Sequence, residues 1–116
     1  MNEALKNILS RNSHRNLVEP APSDKEMEQV FQAALRAPDH AWLRPSSFIQ
    51  IQGEGLKKLS NAFVNYAKEN MDGLDDEKLA KYKQLPFRAT MIVVLVCTPK
   101  EHAMVPEVEQ IMSTAT

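Results

Sequence analysis

Apolar residues recur along the chain at helical spacing in five segments. The pattern i, i+3, i+4 places side chains on one helical face, and it first runs from Leu5 to a predicted end near Ser10. A second run follows the capping box that Ser23 forms with Glu26, and Pro38 stops it. The apolar faces predicted for the other three helices are Leu56, Leu59, Phe63 and Tyr66; Leu79 and Tyr82; and Val108, Ile111, Met112 and Ala115.

Short polar and proline signals mark where several of these helices begin. Asp75 or Asp76 can accept backbone hydrogen bonds at the start of the fourth helix. Pro106 fits the first position of the fifth helix. Pro20 and Pro22 predict an extended connection between the first two helices, because proline restricts its own backbone and that of the residue before it.

Two segments are predicted to be strands. The first, 48–52, is short, β-branched and aromatic. The second, Met91 to Cys97, is apolar throughout and lacks alternation, which predicts a central strand buried on both faces beneath helices. The order helix, helix, strand, helix, helix, strand, helix indicates an α+β or α/β fold with helices on the faces of a sheet. Two strands make a marginal sheet, so we expect the C-terminal part of the fold to be missing.

Composition narrows the possible classes of protein. The 116 residues are 43% hydrophobic and 25% charged, as in an ordinary globular protein, and we expect residues 1–116 to form one incomplete domain. The net charge of −1 argues against nucleic-acid or membrane-surface binding. Three glycines leave neither a phosphate loop nor a dinucleotide fingerprint, so any phosphate must be bound by arginines, hydroxyls and helix N-termini.

The cysteine and the histidines indicate neither an internal disulfide nor a metal site. Cys97 is the only cysteine, which excludes an internal disulfide, favours a reducing cytoplasm and is expected to be an inert core thiol. The N-terminus lacks a signal peptide, and the longest apolar run is too short to span a bilayer. His14, His40 and His102 lack metal-ligand spacing, so no metal site is predicted. No side chain is assigned as a catalytic residue.

Two polar clusters remain as candidate sites. The first, residues 11–15, follows the first helix and holds two arginines and a serine that can bind phosphate, or it is a solvated helix end with cations near the negative pole of the dipole. The second, residues 36–40, presents Asp39 and His40 after a proline, which fits a functional loop or ordinary turn chemistry. The residue types alone do not decide between these interpretations.

Together the two clusters resemble the FMN-dependent nitroreductase family, in its small single-domain bacterial subgroup. Arg11-Asn12-Ser13 stands where the family shows Arg-Arg-Ser after its opening helix. Arg36-Ala37-Pro38-Asp39-His40 matches the subgroup motif and is followed by Arg44-Pro45 and Phe48. Weaker similarity extends from about Ala4 to Ser113.

The resemblance implies an α+β flavoprotein with helices packed on a central sheet. It implies a homodimer that binds FMN at the subunit interface and passes reducing equivalents from NAD(P)H through the flavin to nitroaromatic, quinone or similar acceptors. By motif match, Arg11, Asn12 and Ser13 line the cofactor, and Arg36 and His40 contribute to it, in the partner's site. Arginine and serine donors suit phosphate and ribityl oxygens.

The sequence also departs from the family pattern. Asn12 replaces the second arginine, Arg44 stands where glutamine is usual, and Ser46 stands where tryptophan is usual. Trp42 is a candidate replacement for that indole. Family members continue past the position of Thr116 into a glycine-rich strand and further cofactor contacts. The alternative to a flavoenzyme is therefore a truncated, non-catalytic remnant that acts as an oligomerising or protein-interaction module.

Overall fold

The computed structural model describes residues 1–116 as five α-helices and a two-stranded sheet, in the predicted order. No helix is long and apolar enough to cross a bilayer. The helices and strands are α1 (Glu3–Ser10), α2 (Asp24–Ala34), β1 (Ser46–Gln52), α3 (Glu54–Asn70), α4 (Asp76–Gln84), β2 (Met91–Cys97) and α5 (Glu107–Ala115), and two short 3-10 turns cover His40–Trp42 and Leu85–Arg88.

The helices begin at the polar residues that the sequence marks. In α2 the capping box is complete: the Glu26 amide donates to the Ser23 hydroxyl at 3.3 Å, and the Ser23 amide donates to the Glu26 carboxylate at 2.8 Å. Asp75 caps α4 by accepting from the Lys78 amide at 2.8 Å. Pro106 is the N-cap of α5, whereas the sequence predicts it at the first helical position, one residue further into the helix.

The sheet is a single antiparallel pair. The register runs from Ser46 opposite Cys97 to Gln52 opposite Met91. Strand β1 is joined to α2 by Phe31 and Phe48, whose rings stack with centroids 5.1 Å apart.

The prediction that β2 is a central strand buried on both faces is wrong. Strand β2 has one neighbouring strand, and Leu95 in its middle is 52% exposed. A continuous apolar run indicates that side chains on both faces of the strand can be buried. How much it does bury depends on how many elements pack over it, and here the pair is only partly covered.

The chain is less compact than a typical domain of its length. Its radius of gyration is 17.8 Å, whereas a compact domain of this size has about 13 Å. Its accessible surface is 9358 Å², against about 6,400 Å² for a compact monomer of this mass. Among the apolar side chains, only a few are buried, and they are scattered along the chain: Met27, Pro45, Leu56, Ala67, Pro86 and Val105. The helices are therefore well formed, but they enclose little core.

Candidate functional site

The loop after α2 has a strained backbone. Ala41, Trp42 and Arg44 have φ angles of 61°, 52° and 52°, in the left-handed region that L-residues rarely adopt. Asp39 supports this conformation, because its carboxylate accepts from the Leu43 amide at 3.1 Å and the Arg44 amide at 3.0 Å. A loop held in a costly conformation by specific contacts is a candidate for function.

A lysine from the other end of the chain holds the same loop. The ammonium of Lys100 donates to the Leu43 carbonyl and, at 3.4 Å, to the Arg44 carbonyl. Lys100 is itself fixed by the buried side chain of Gln110, which accepts from the Lys100 amide and donates to the Lys100 carbonyl, both at 2.8 Å. The loop is thus tied to α5 through the segment that follows β2.

His40 is oriented by a carboxylate on α5. Its Nδ1 lies 2.7 Å from Glu109 Oε1. An ionised carboxylate only accepts, so Nδ1 carries the proton in this hydrogen bond. The Nε2 atom is then the ring nitrogen left to meet a ligand. Both side chains are about half exposed, so a ligand can reach them.

A cavity of about 520 Å³ lies beside this pair, between the loop and α5. That volume falls within the range of about 300–1,000 Å³ that small-molecule sites occupy. The lining combines hydroxyls, an amide and the His40–Glu109 pair with few apolar groups, namely Pro38, Asp39, His40, Val105, Glu109, Gln110, Met112, Ser113 and Thr116.

A smaller depression of about 210 Å³ lies on the other side of Asp39. Arg36, Trp42 and Arg44 line it, together with Leu35, Ala37 and Asp39. The Arg44 guanidinium carbon stands 5.7 Å from the centroid of the Trp42 ring, within the range of a cation–π contact. Arg36 therefore faces this depression rather than the larger cavity beside His40.

The first polar cluster has two of its donors in contact. Arg11 Nη1 donates to Ser13 Oγ at 3.3 Å, and Asn12 Nδ2 donates to the carbonyl of Ser10 at 3.1 Å. All of these side chains are exposed, and no carboxylate lies within 4.0 Å of Arg11. A guanidinium and a hydroxyl in this arrangement can bind a phosphate group.

Within one chain the two clusters are not joined. No hydrogen bond or ion pair links residues 11–13 with Arg36 or His40. Sequence reasoning also missed Glu109, Gln110 and Lys100 as partners of the loop, because the His40–Glu109 contact spans 69 positions. No local spacing rule reports such a contact.

The structure brings together no group of side chains suited to metal binding or thiol chemistry. No group of three or more histidine, cysteine, aspartate or glutamate side chains is placed to hold a metal ion. Cys97 is half-buried at the end of β2, opposite Ser46. The candidate site therefore consists of arginines, hydroxyls, an indole and the His40–Glu109 pair.

Comparison with known proteins gives the class to which this arrangement belongs. The model of the nitroreductase family matches residues 8–116, and the chain belongs to that family. It is 36% identical over 111 residues to "Putative NAD(P)H nitroreductase YdjA" of Escherichia coli K12, and 38% identical over 112 residues to "Putative NAD(P)H nitroreductase" of Haemophilus influenzae. Each alignment covers 96% of this chain and 60% of the relative, so the chain spans about three-fifths of their length.

A solved structure confirms the fold. The nitroreductase-like family protein from Bacillus cereus superposes with a TM-score of 0.75 at 20% sequence identity. The superposition covers 99% of this chain and 59% of that one. The α+β, nitroreductase-like fold expected from the sequence is therefore confirmed, with this chain as part of the longer fold.

Proposed function

We propose that this chain belongs to an FMN-dependent oxidoreductase that passes reducing equivalents from NAD(P)H to nitroaromatic, quinone or similar acceptors. The family match and the names of the relatives support an oxidoreductase that uses NAD(P)H. The proposal adds the flavin, the acceptors and a cytoplasmic location consistent with a single cysteine. We also propose that residues 1–116 fold as one unit.

The observation that carries this proposal is the contact between Arg11 and Ser13. Their side chains meet at 3.3 Å and are open to solvent, and no acidic group neutralises the guanidinium. This donor set fits the phosphate of FMN, and Asn12 adds an amide to it. The bound flavin would supply the redox chemistry, while these residues would bind and orient it.

The second cluster would complete the site from a partner subunit. His40 is preoriented by Glu109 and borders a cavity of about 520 Å³, and Arg36 lines the depression on the other side of Asp39. Because nothing links these two residues to the Arg11 cluster within the chain, we infer that one site takes Arg11, Asn12 and Ser13 from one protomer and Arg36 and His40 from its partner. In a symmetric dimer this arrangement gives two equivalent sites.

Titration with FMN tests the binding. The visible flavin spectrum and flavin fluorescence should change saturably when FMN is added to the purified chain. Arg11→Gln should weaken FMN binding by about tenfold or more, since a charge-assisted hydrogen bond is lost. Arg15→Gln, in the same segment but without a contact to Ser13, serves as the matched control. Failure to bind FMN at all would overturn the proposal.

Mixed dimers test the composition of the site. Arg11→Gln chains and His40→Ala chains each have a defect in every site of their own homodimers. If each site draws on both protomers, a mixed dimer concentrates the two defects in one site and leaves the other intact. Random mixing should then restore a quarter of the sites. No restoration after subunit exchange would place both clusters in the same protomer.

A second candidate function is a non-catalytic, oligomerising or protein-interaction module. The apolar stripe of α1 favours it, because no residue of this helix is buried within the chain. Stable association without FMN binding would support this alternative over the enzyme.

A further inference from the structure

Trp42 and Arg44 border the smaller depression and are not used by the proposed flavin site, which shares only Arg36 with it. Trp42 is 78% exposed and is the only tryptophan of the chain. An exposed indole offers a flat apolar face on which an aromatic ligand can stack. Its ring already has a guanidinium beside it, that of Arg44 at 5.7 Å from the centroid.

The charge of this depression is positive. Arg36 and Arg44 both line it, and neither has a carboxylate within 4.0 Å. The one acidic residue there, Asp39, has both carboxylate oxygens engaged by the amides of Leu43 and Arg44. Two uncompensated guanidiniums can therefore meet an anionic group, and a planar carboxylate suits their fork of donors.

The size limits the ligand. At about 210 Å³ the depression is smaller than the usual range of about 300–1,000 Å³ for small-molecule sites. It is too small for a flavin or a dinucleotide and suits a single aromatic ring. The loop conformation is costly, and Asp39 and Lys100 both hold it, so the backbone that carries Trp42 and Arg44 is fixed before a ligand arrives.

We propose that Trp42, Arg44 and Arg36 form a binding site for a single-ring aromatic acid, with the ring stacked on the indole and the carboxylate held by the guanidiniums. Asp39 lines both this depression and the cavity beside His40, so the two are adjacent. Where its ring carries a nitro group, the ligand is then the electron acceptor, a role that rests on the proposed function, whereas the binding itself does not.

Fluorescence of the single tryptophan tests this site directly. The probe is 4-nitrobenzoate, a quenching aromatic acid, and the matched neutral probe is 4-nitrobenzamide. We expect saturable quenching of Trp42 emission by the acid, with an affinity at least fivefold above that for the amide. N-acetyltryptophanamide corrects for absorption by the probes and for collisional quenching.

Variants of Arg44 separate charge from packing. Arg44→Gln should weaken binding of the acid at least fivefold and change binding of the amide by less than twofold. Arg44→Lys should keep most of the preference for the acid, and Arg88→Gln, on the turn before β2, should leave it unchanged. Circular dichroism of each variant shows whether the fold is retained.

The outcomes also separate this inference from the proposed function. Quenching by the acid that never saturates, an equal affinity for acid and amide, or an unchanged preference in a folded Arg44→Gln variant would each overturn the binding site. FMN binding is measured independently through the flavin spectrum. Saturable binding of the acid without FMN binding would support the site and contradict the flavoenzyme, and the reverse result would do the opposite.

Discussion

Ala41 has the backbone conformation of a glycine without being one. Its φ of 61° and ψ of 16° lie in the left-handed region, where an L-residue is about 1–2 kcal/mol less stable than in the right-handed region. Neighbouring Trp42 and Arg44 share this conformation, yet their side chains line the small depression. Ala41 contributes only a methyl group, so at this position the strain can be relieved without removing a candidate binding group.

Replacing Ala41 with glycine should therefore stabilise the protein. The left-handed penalty disappears, and the extra flexibility of unfolded glycine offsets part of the gain, which leaves about 0.5–1 kcal/mol in the free energy of unfolding. Urea titration followed by circular dichroism measures it. The matched change Ala62→Gly, in the middle of α3, should destabilise by about 1 kcal/mol. Equal destabilisation by both changes would show that the loop is not strained at Ala41.

At this scale the sequence predicts which residues form the loop, but it does not predict their contacts with residues far along the chain. Pro38 and Asp39 were identified as loop residues, and Arg36 and His40 as candidates, because their signals lie within a few positions. The hydrogen bonds by which Lys100 and Gln110 tie the loop to α5 could not be predicted. They depend on how α5 meets the loop, which is a property of the tertiary fold rather than of spacing along the chain.

Among the elements, helix α2 carries a pH-dependent cap. The Ser23 amide, and next the Ser23 hydroxyl, donate to the Glu26 carboxylate and hold its pKa below the ordinary value of 4.5. A carboxyl whose pKa is lowered on folding adds stability above its unfolded pKa and loses it as the pH falls through the folded pKa. The cap therefore contributes at neutral pH and weakens in acid.

Glu26→Gln should remove this dependence. Above pH 4.5 the wild type should be more stable than the variant, and the difference should shrink as the pH falls below 4.5. Chemical denaturation at a series of pH values gives the difference in the free energy of unfolding. Glu28→Gln on the same helix is the control, since Glu28 makes no hydrogen bond. A constant difference across the acid range would mean that Glu26 is not stabilised as the ion.

The elements were predicted far better than their packing. The capping box of α2, a cap of α4 at Asp75 or Asp76 and the order of all seven elements follow from patterns within short windows. The burial of β2 did not follow, because an apolar run says nothing about how many neighbours will cover it. Strand β2 pairs only with β1, and Leu95, next to its central residue, is left half exposed.

At the scale of the whole molecule, the dominant feature is an accessible surface larger than that of a compact monomer. The accessible area of 9358 Å² exceeds that of a compact monomer by about 3,000 Å², which is more than a standard protein–protein interface buries in total. Helix α1 shows the pattern most clearly, since its apolar stripe has no buried residue. In the proposed homodimer, we expect the partner to cover part of this surface.

A charge placed on this stripe should weaken the dimer. Ile8 is 71% exposed on the apolar face of α1, and burying its side chain against a partner would contribute about 1.5–3 kcal/mol. Ile8→Lys removes that contribution and adds a charge that is costly to desolvate, so the dissociation constant from sedimentation velocity should rise tenfold or more. Asn7→Lys adds the same charge to the neighbouring polar position of α1 and should have little effect. A wild-type chain that stays monomeric at every concentration would contradict the dimer, whereas a dimer equally tolerant of both changes would place its interface away from α1. A dimer weakened only by Ile8→Lys, and losing its FMN in proportion, would tie the apolar stripe of α1 to the completeness of the cofactor site.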